Sequence, residues 1–251
     1  MKKKVVRNTD CDTCHGSGDQ HRKDETIASI VSFTKKSTQD VQELNKKCLS
    51  CHNTTPKVSF WKNSKHNLNQ VSCASCHRMH GGAASVKPKP ETCFACHKDV
   101  QAQVKKLSHH PIMEGKVSCS DCHNPHGELS HGNLVAGTVN QVCYKCHADK
   151  RGPFVWEHPP VEENCLICHE SHGAPHAKLL RERVPNLCQD CHDWSRHPGT
   201  IYDNQGGFLG GAKATNRFLA RSCNNCHSKI HGSYGAVNPA NLYNSAKHFV
   251  R

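Results

Sequence analysis

CSDCHNPHG, residues 119–127, places Cys119, Cys122, His123, His126 and Gly127 within nine positions. Its opening grammar, Cys-x-x-Cys-His, recurs along the chain. The other occurrences are CDTCH (Cys11, Cys14, His15), CLSCH (Cys48, Cys51, His52), CASCH (Cys73, Cys76, His77) and CFACH (Cys93, Cys96, His97). They continue with CYKCH (Cys143, Cys146, His147), CLICH (Cys165, Cys168, His169), CQDCH (Cys188, Cys191, His192) and CNNCH (Cys223, Cys226, His227). The nine motifs use all 18 cysteines.

Cysteines three apart lie about one helical turn from each other, so both sulfurs can form thioethers with the vinyl groups on one edge of a porphyrin. The histidine that follows then swings beneath the ring and offers a nitrogen to the iron. A zinc site needs four ligands and gives no reason for a histidine directly after every second cysteine. Structural disulfides leave the same histidines unexplained, and iron–sulfur clusters want three or four cysteines in closer runs. The pattern therefore specifies nine haem c groups, with the motif cysteines as covalent anchors and His15, His52, His77, His97, His123, His147, His169, His192 and His227 as proximal ligands.

A chain of 251 residues with 35% hydrophobic and 6% aromatic content cannot build an ordinary apolar core. Porphyrins are expected to supply most of the buried apolar surface, and the apo chain to be disordered. The expected fold is that of a multihaem c-type cytochrome, mostly irregular with short α-helices and almost no β, drawn out as an elongated haem wire. Residues 90–107 (PETCFACHKDVQAQVKKL) and 38–52 (TQDVQELNKKCLSCH) read as helices, the first with proline near its start. GGFLGG, residues 206–211, reads as a surface loop.

The formal charge of +12 invites a nucleic-acid reading. Two propionates per haem, offset by the ferric cores, bring the loaded protein to about +3 oxidised and about −6 reduced. The basic residues are thus expected to compensate propionates, and nucleic acid is not expected as a partner. No apolar run approaches the roughly 18 residues of a membrane span, the longest being TIASIVSF at 26–33. MKKKVVR resembles the charged start of a signal peptide, but no apolar region follows it. Because haem is attached to such motifs outside the cytoplasm, the expectation is an exported protein whose export signal is absent from this sequence.

The motif starts form two interleaved series. Cys48, Cys93, Cys143 and Cys188 are 45, 50 and 45 residues apart, and Cys73, Cys119, Cys165 and Cys223 are 46, 46 and 58 apart. A two-haem unit is repeated four times, at 48–92, 93–142, 143–187 and 188–251, after an incomplete one-haem repeat at 1–47. The whole is read as one continuous elongated domain that starts mid-repeat.

Each second-series motif is followed closely by another histidine: His80, His126, His172 and His231. Each unit also has a histidine between its motifs: His66, His109, His158 and His197. Two histidines on opposite faces of one iron need α-carbons roughly 12 to 13 Å apart, whereas three residues at full stretch reach only about 10 to 11 Å. His126 must therefore serve a different haem from His123, and the same argument covers His80 and His172; His231, one residue farther from its motif, is read in the same way, and the argument is weaker for His21. Glycine comes next at Gly81, Gly127, Gly173 and Gly232, where a missing side chain would let backbone approach a porphyrin face. With His21, these histidines make nine distal candidates for nine irons. His110, His131, His176 and His248 remain as surface or propionate partners, His110 being able to substitute for His109. Bis-histidine iron has no position open to substrate.

ADKRGPFVWEHPPVEENCLICHESHG (148–173), with CSDCHNPHG before it and LARSCNNCHSKIHGS (219–233) after it, resembles the periplasmic decahaem cytochromes of the MtrA/DmsE type. The resemblance covers essentially the whole chain and departs in one respect: nine motifs stand here in place of ten, the first being lost. It implies a periplasmic electron-transfer protein, not an enzyme, inserted in an outer-membrane β-barrel porin. The implied partners are an extracellular multihaem cytochrome and a periplasmic or inner-membrane donor cytochrome. A free periplasmic shuttle to a reductase and a multihaem reductase are the alternatives.

Overall fold

The computed structural model describes residues 11–34, 37–80, 89–192, 223–225 and 227–234. Gly81, His197, the 206–211 loop, Cys226 and His248 lie outside the described residues.

Among the described residues the helices are short. In chain order they are α1 (Cys11–His15), α2 (His21–Asp24), α3 (Val41–His52), α4 (Lys65–Leu68), α5 (Pro90–Phe94), α6 (Lys98–Gln103), α7 (Cys119–Cys122), α8 (Val139–Cys143), α9 (Pro159–Glu163) and α10 (Asn186–Gln189). Strand is confined, among the described residues, to β1 (Ser108–His109) and β2 (Gly173–Ala174), an antiparallel pair with Ser108 opposite Ala174 and His109 opposite Gly173. This is the sparse secondary structure expected of a multihaem c-type cytochrome.

Local chemistry explains where the helices start. The Asp40 carboxylate accepts the Gln42 and Glu43 N–H groups at 2.8 and 3.1 Å, so α3 begins at Val41, three residues after the start of the 38–52 reading. Ser118 and Asp121 form a reciprocal capping box at α7, and Pro90 and Pro159 open α5 and α9. The single helix expected over 90–107 is instead two, α5 and α6. His97 stands between them at φ −86°, ψ 69°, outside helical space, so the chain turns at the motif histidine.

The described residues fall into two compact units, one drawn from 1–96 and 118–135, the other from 97–117 and 136–251. In the first the buried hydrophobic side chains are Leu44, Trp61 and Phe94, and in the second Val104, Ile112, Val142 and Ala174. So thin an apolar interior cannot offset the chain entropy of units this size.

Candidate haem centres

Six of the motifs close in the same way. The histidine N–H donates to the carbonyl of the first cysteine at 2.9 Å in His77, His123, His147, His192 and His227, and at 3.0 Å in His169. One closed turn brings both sulfurs to one side and carries the imidazole away at the exit. Each described cysteine is half-buried or exposed, so the sulfurs lie within reach of a group seated against the chain. Among the described residues no three His, Cys, Asp or Glu side chains converge as a zinc site would need.

The imidazoles meet in pairs. In the first unit His15 faces His80 with ring centroids 5.9 Å apart, and His77 faces His126 at 5.8 Å with planes 14° apart. In the second unit His110 faces His147 at 6.4 Å, His158 faces His192 at 6.1 Å, and His169 faces His231 at 6.1 Å. Two metal–nitrogen bonds of about 2 Å, with roughly 1.2 Å from each nitrogen to its ring centre, put bis-imidazole centroids about 6.3 Å apart. The spacing is too long for van der Waals stacking and right for one iron between two nitrogens. Each pair joins a motif histidine to a histidine from outside the motifs, so the residues fit haem.

Hydrogen bonds fix the tautomer that ligation needs. A carbonyl can only accept, so an Nδ1 bonded to one carries the proton and leaves the Nε2 lone pair for metal. Such bonds run from His15 to Val31 at 2.7 Å, His21 to Thr26 at 2.8 Å, His66 to Pro125 at 2.7 Å and His123 to Gly132 at 2.7 Å. In the second unit they run from His110 to Ser171 at 2.7 Å and from His169 to Lys178 at 2.9 Å. His172 instead has its Nδ1 3.2 Å from the Gln103 amide oxygen. Burial, ahead of neighbouring cationic groups, pushes His126, His158 and His231 below the usual imidazole range and keeps them neutral.

His109 and His110 part company here. His109 lies in β1, its Nδ1 on the Lys106 carbonyl at 2.6 Å and its Nε2 3.1 Å from Glu114. Glu114, then the Lys106 carbonyl, raise His109 above the ordinary imidazole value, which favours the doubly protonated ring. Successive side chains along an extended segment point to opposite sides. His110 is thereby the one that reaches His147.

The loops that hold the second-series proximal histidines repeat in detail. His123 bridges to Leu134 and His169 to Leu180, and in each case Nδ1 donates to a carbonyl nine residues on. Left-handed backbone at Gly132 and Asn133 (φ 71° and 54°), and at Lys178 and Leu179 (φ 60° and 57°), aims those carbonyls back. Three of the strap glycines, Gly127, Gly173 and Gly232, lie against neighbouring parts of the chain. A Cβ on Gly127 would stand 2.6 Å from the Phe60 carbonyl oxygen, one on Gly173 would strike the Gln103 carbonyl, and one on Gly232 the Phe154 ring.

First cysteines of consecutive motifs touch, Cys48 with Cys73 and Cys93 with Cys119 in the first unit, Cys143 with Cys165 and Cys188 with Cys223 in the second. As free thiols, Cys73, Cys93 and Cys143 are pushed upward by that neighbour and by burial. Sequence reading passed over two side chains that build these contacts, Asn45 and Asn140, each buried and each bonded to the backbone N–H of the next motif's first cysteine.

Comparison with known proteins agrees with this reading. A family of doubled CXXCH motifs matches residues 109–152 and 158–197, and a family of NrfB-like cytochrome c-type proteins matches residues 11–88. A multiheme cytochrome MtrA of Shewanella baltica (strain OS185) is 41% identical over 235 residues, which span 92% of this chain and 70% of that protein.

Proposed function

The chain belongs to the multihaem c-type cytochromes of the MtrA type, and we propose that it carries electrons through nine bis-histidine haem c centres. In this reading it is the periplasmic member of a conduit inserted in an outer-membrane β-barrel porin. It exchanges electrons with a periplasmic or inner-membrane cytochrome on one side and an extracellular multihaem cytochrome on the other. Among the described residues no helix is long and apolar enough to cross a membrane, so a barrel partner would supply the passage.

Haem c, when bound, supplies an iron that gains and loses one electron without a change of ligands. The protein's part is to anchor, orient and space. Motif cysteines bind covalently, Nδ1–carbonyl bonds lock the imidazoles, and straps and interstitial histidines reach across from other motifs.

The facing imidazole pairs near 6 Å carry the proposal. They support distal roles for His80, His126, His158 and His231, and for His110 in the position first read for His109. His21, His66, His172 and His197 complete the nine. Imidazole on both sides favours an electron carrier over a reductase, which needs an open coordination position. The contacts between first cysteines support the four two-haem repeats.

The test is affinity capture of the haem-loaded protein from detergent-solubilised outer membrane. Co-purification with a barrel is expected. Quantitative release by osmotic shock with no barrel partner would instead favour the free shuttle.

A further inference from the structure

Asn45 and Asn140 sit three residues before the first cysteine of the first-series motifs at Cys48 and Cys143, in α3 and α8, and they are 95 residues apart. Both are nearly inaccessible, 1% and 7% exposed, and both make the same bonds. The Asn45 Oδ1 accepts the Cys73 N–H at 2.9 Å while its Nδ2 donates to the Val71 carbonyl at 3.1 Å. The Asn140 Oδ1 accepts the Cys165 N–H at 2.8 Å while its Nδ2 donates to the Val161 and Glu162 carbonyls, both at 2.9 Å.

The parallel runs one step further. Val71 donates its own N–H to the His66 carbonyl at 2.9 Å, and Val161 donates to the His158 carbonyl at 2.8 Å. One amide therefore ties together three things: the helix of one motif, the segment leaving an interstitial histidine, and the first cysteine of the next motif. Buried side chains that satisfy donor and acceptor at once specify a single arrangement of the elements they join.

The geometry points to Asn45 and Asn140 as positioning residues that set the spacing between the two haem anchors of their repeats. Pro90 and Pro185 hold the equivalent places before Cys93 and Cys188, also 95 residues apart, and a proline side chain can make none of these bonds. The two-haem repeats thus alternate between asparagine and proline at this place, which gives the sequence a four-haem period. The inference rests on the haem reading above and goes beyond it in assigning pair spacing to these two side chains.

Asn45→Ala, Asn140→Ala and the double variant test it in the exported, haem-loaded protein. Pyridine haemochrome and intact mass give the haem count, and ferric EPR gives the magnetic coupling between neighbouring irons. Each single variant is expected to keep nine low-spin haems and to lose one coupled signal, replaced by two isolated ones, with two coupled signals lost in the double variant. Full haem content with unchanged coupling overturns the inference and leaves the haem reading intact. If Asn45→Ala loads fewer haems, Asn140→Ala decides. If both load fewer, the asparagines act in haem attachment and not in spacing. Absence of haem from the parent protein would sink the haem reading itself.

Discussion

His77 and His126 face each other with ring centroids 5.8 Å apart and planes 14° apart, although 49 residues separate them. His126 is only three residues beyond His123, yet its ring faces another motif's histidine. The segment between, Asn124 and Pro125, is pinned on both flanks. The buried Asn124 amide donates to the Lys57, Gly127 and Glu128 oxygens at 3.0, 3.0 and 2.9 Å, and the Pro125 carbonyl accepts from His66. A strap so held fixes one site relative to the next.

Two ligands of one iron behave as a unit, so their removals are not additive. His77→Ala and His126→Ala are each expected to make one haem non-native in axial ligation, and the double variant still only one. Resonance Raman spin-state markers read the outcome. Two perturbed haems in the double variant would separate the pair.

Adjacent histidines offer a sharper contrast. His110→Ala should convert one haem to a high-spin or solvent-ligated state, whereas His109→Ala should leave all nine low-spin and remove the contacts with Glu114 and the Lys106 carbonyl. Optical and EPR spectra of the two variants distinguish the roles, and the reverse result would return the ligand role to His109.

Proximal histidines held by a backbone carbonyl donate more electron density to iron and favour its ferric form. Gly132, at φ 71°, presents the carbonyl that holds His123, and a β-branched side chain is poorly tolerated there. Gly132→Val should therefore raise one midpoint potential by something on the order of tens of millivolts. A potentiometric titration that superimposes on the parent would contradict this.

Packing of the strap predicts a stability effect. Gly127 combines φ 107° with the Phe60 carbonyl oxygen 2.6 Å from where a Cβ would stand. Gly127→Ala should destabilise the loaded protein by about 2 kcal/mol and weaken the His126 side of the His77 centre. Thermal melts followed at the Soret band test this, and an unshifted melt would show the loop yields freely.

Much of this was legible in the sequence, because covalent anchors declare themselves. Cys-x-x-Cys-His names both sulfurs and the proximal nitrogen in five residues, and the short reach from His123 to His126 forbids a shared iron. What stayed hidden depends on chain geometry. His109 and His110 differ by one step of strand parity, decided by the pairing of Ser108 with Ala174, which no local pattern announces. The partners of His80, His126 and His231 lie tens of residues away. Asn45 and Asn140 look like ordinary polar helix residues until the N–H groups of Cys73 and Cys165 are seen to need acceptors. Gly127, Gly173 and Gly232 were legible as close approaches, and the contacts they make with Phe60, Gln103 and Phe154 were not.

Near-infrared magnetic circular dichroism of the ferric, haem-loaded protein, scaled to haem content, tests most directly whether each iron lies between imidazoles drawn from separate parts of the chain. The account predicts nine bis-histidine centres per polypeptide. A stoichiometric high-spin or methionine-ligated component would contradict it.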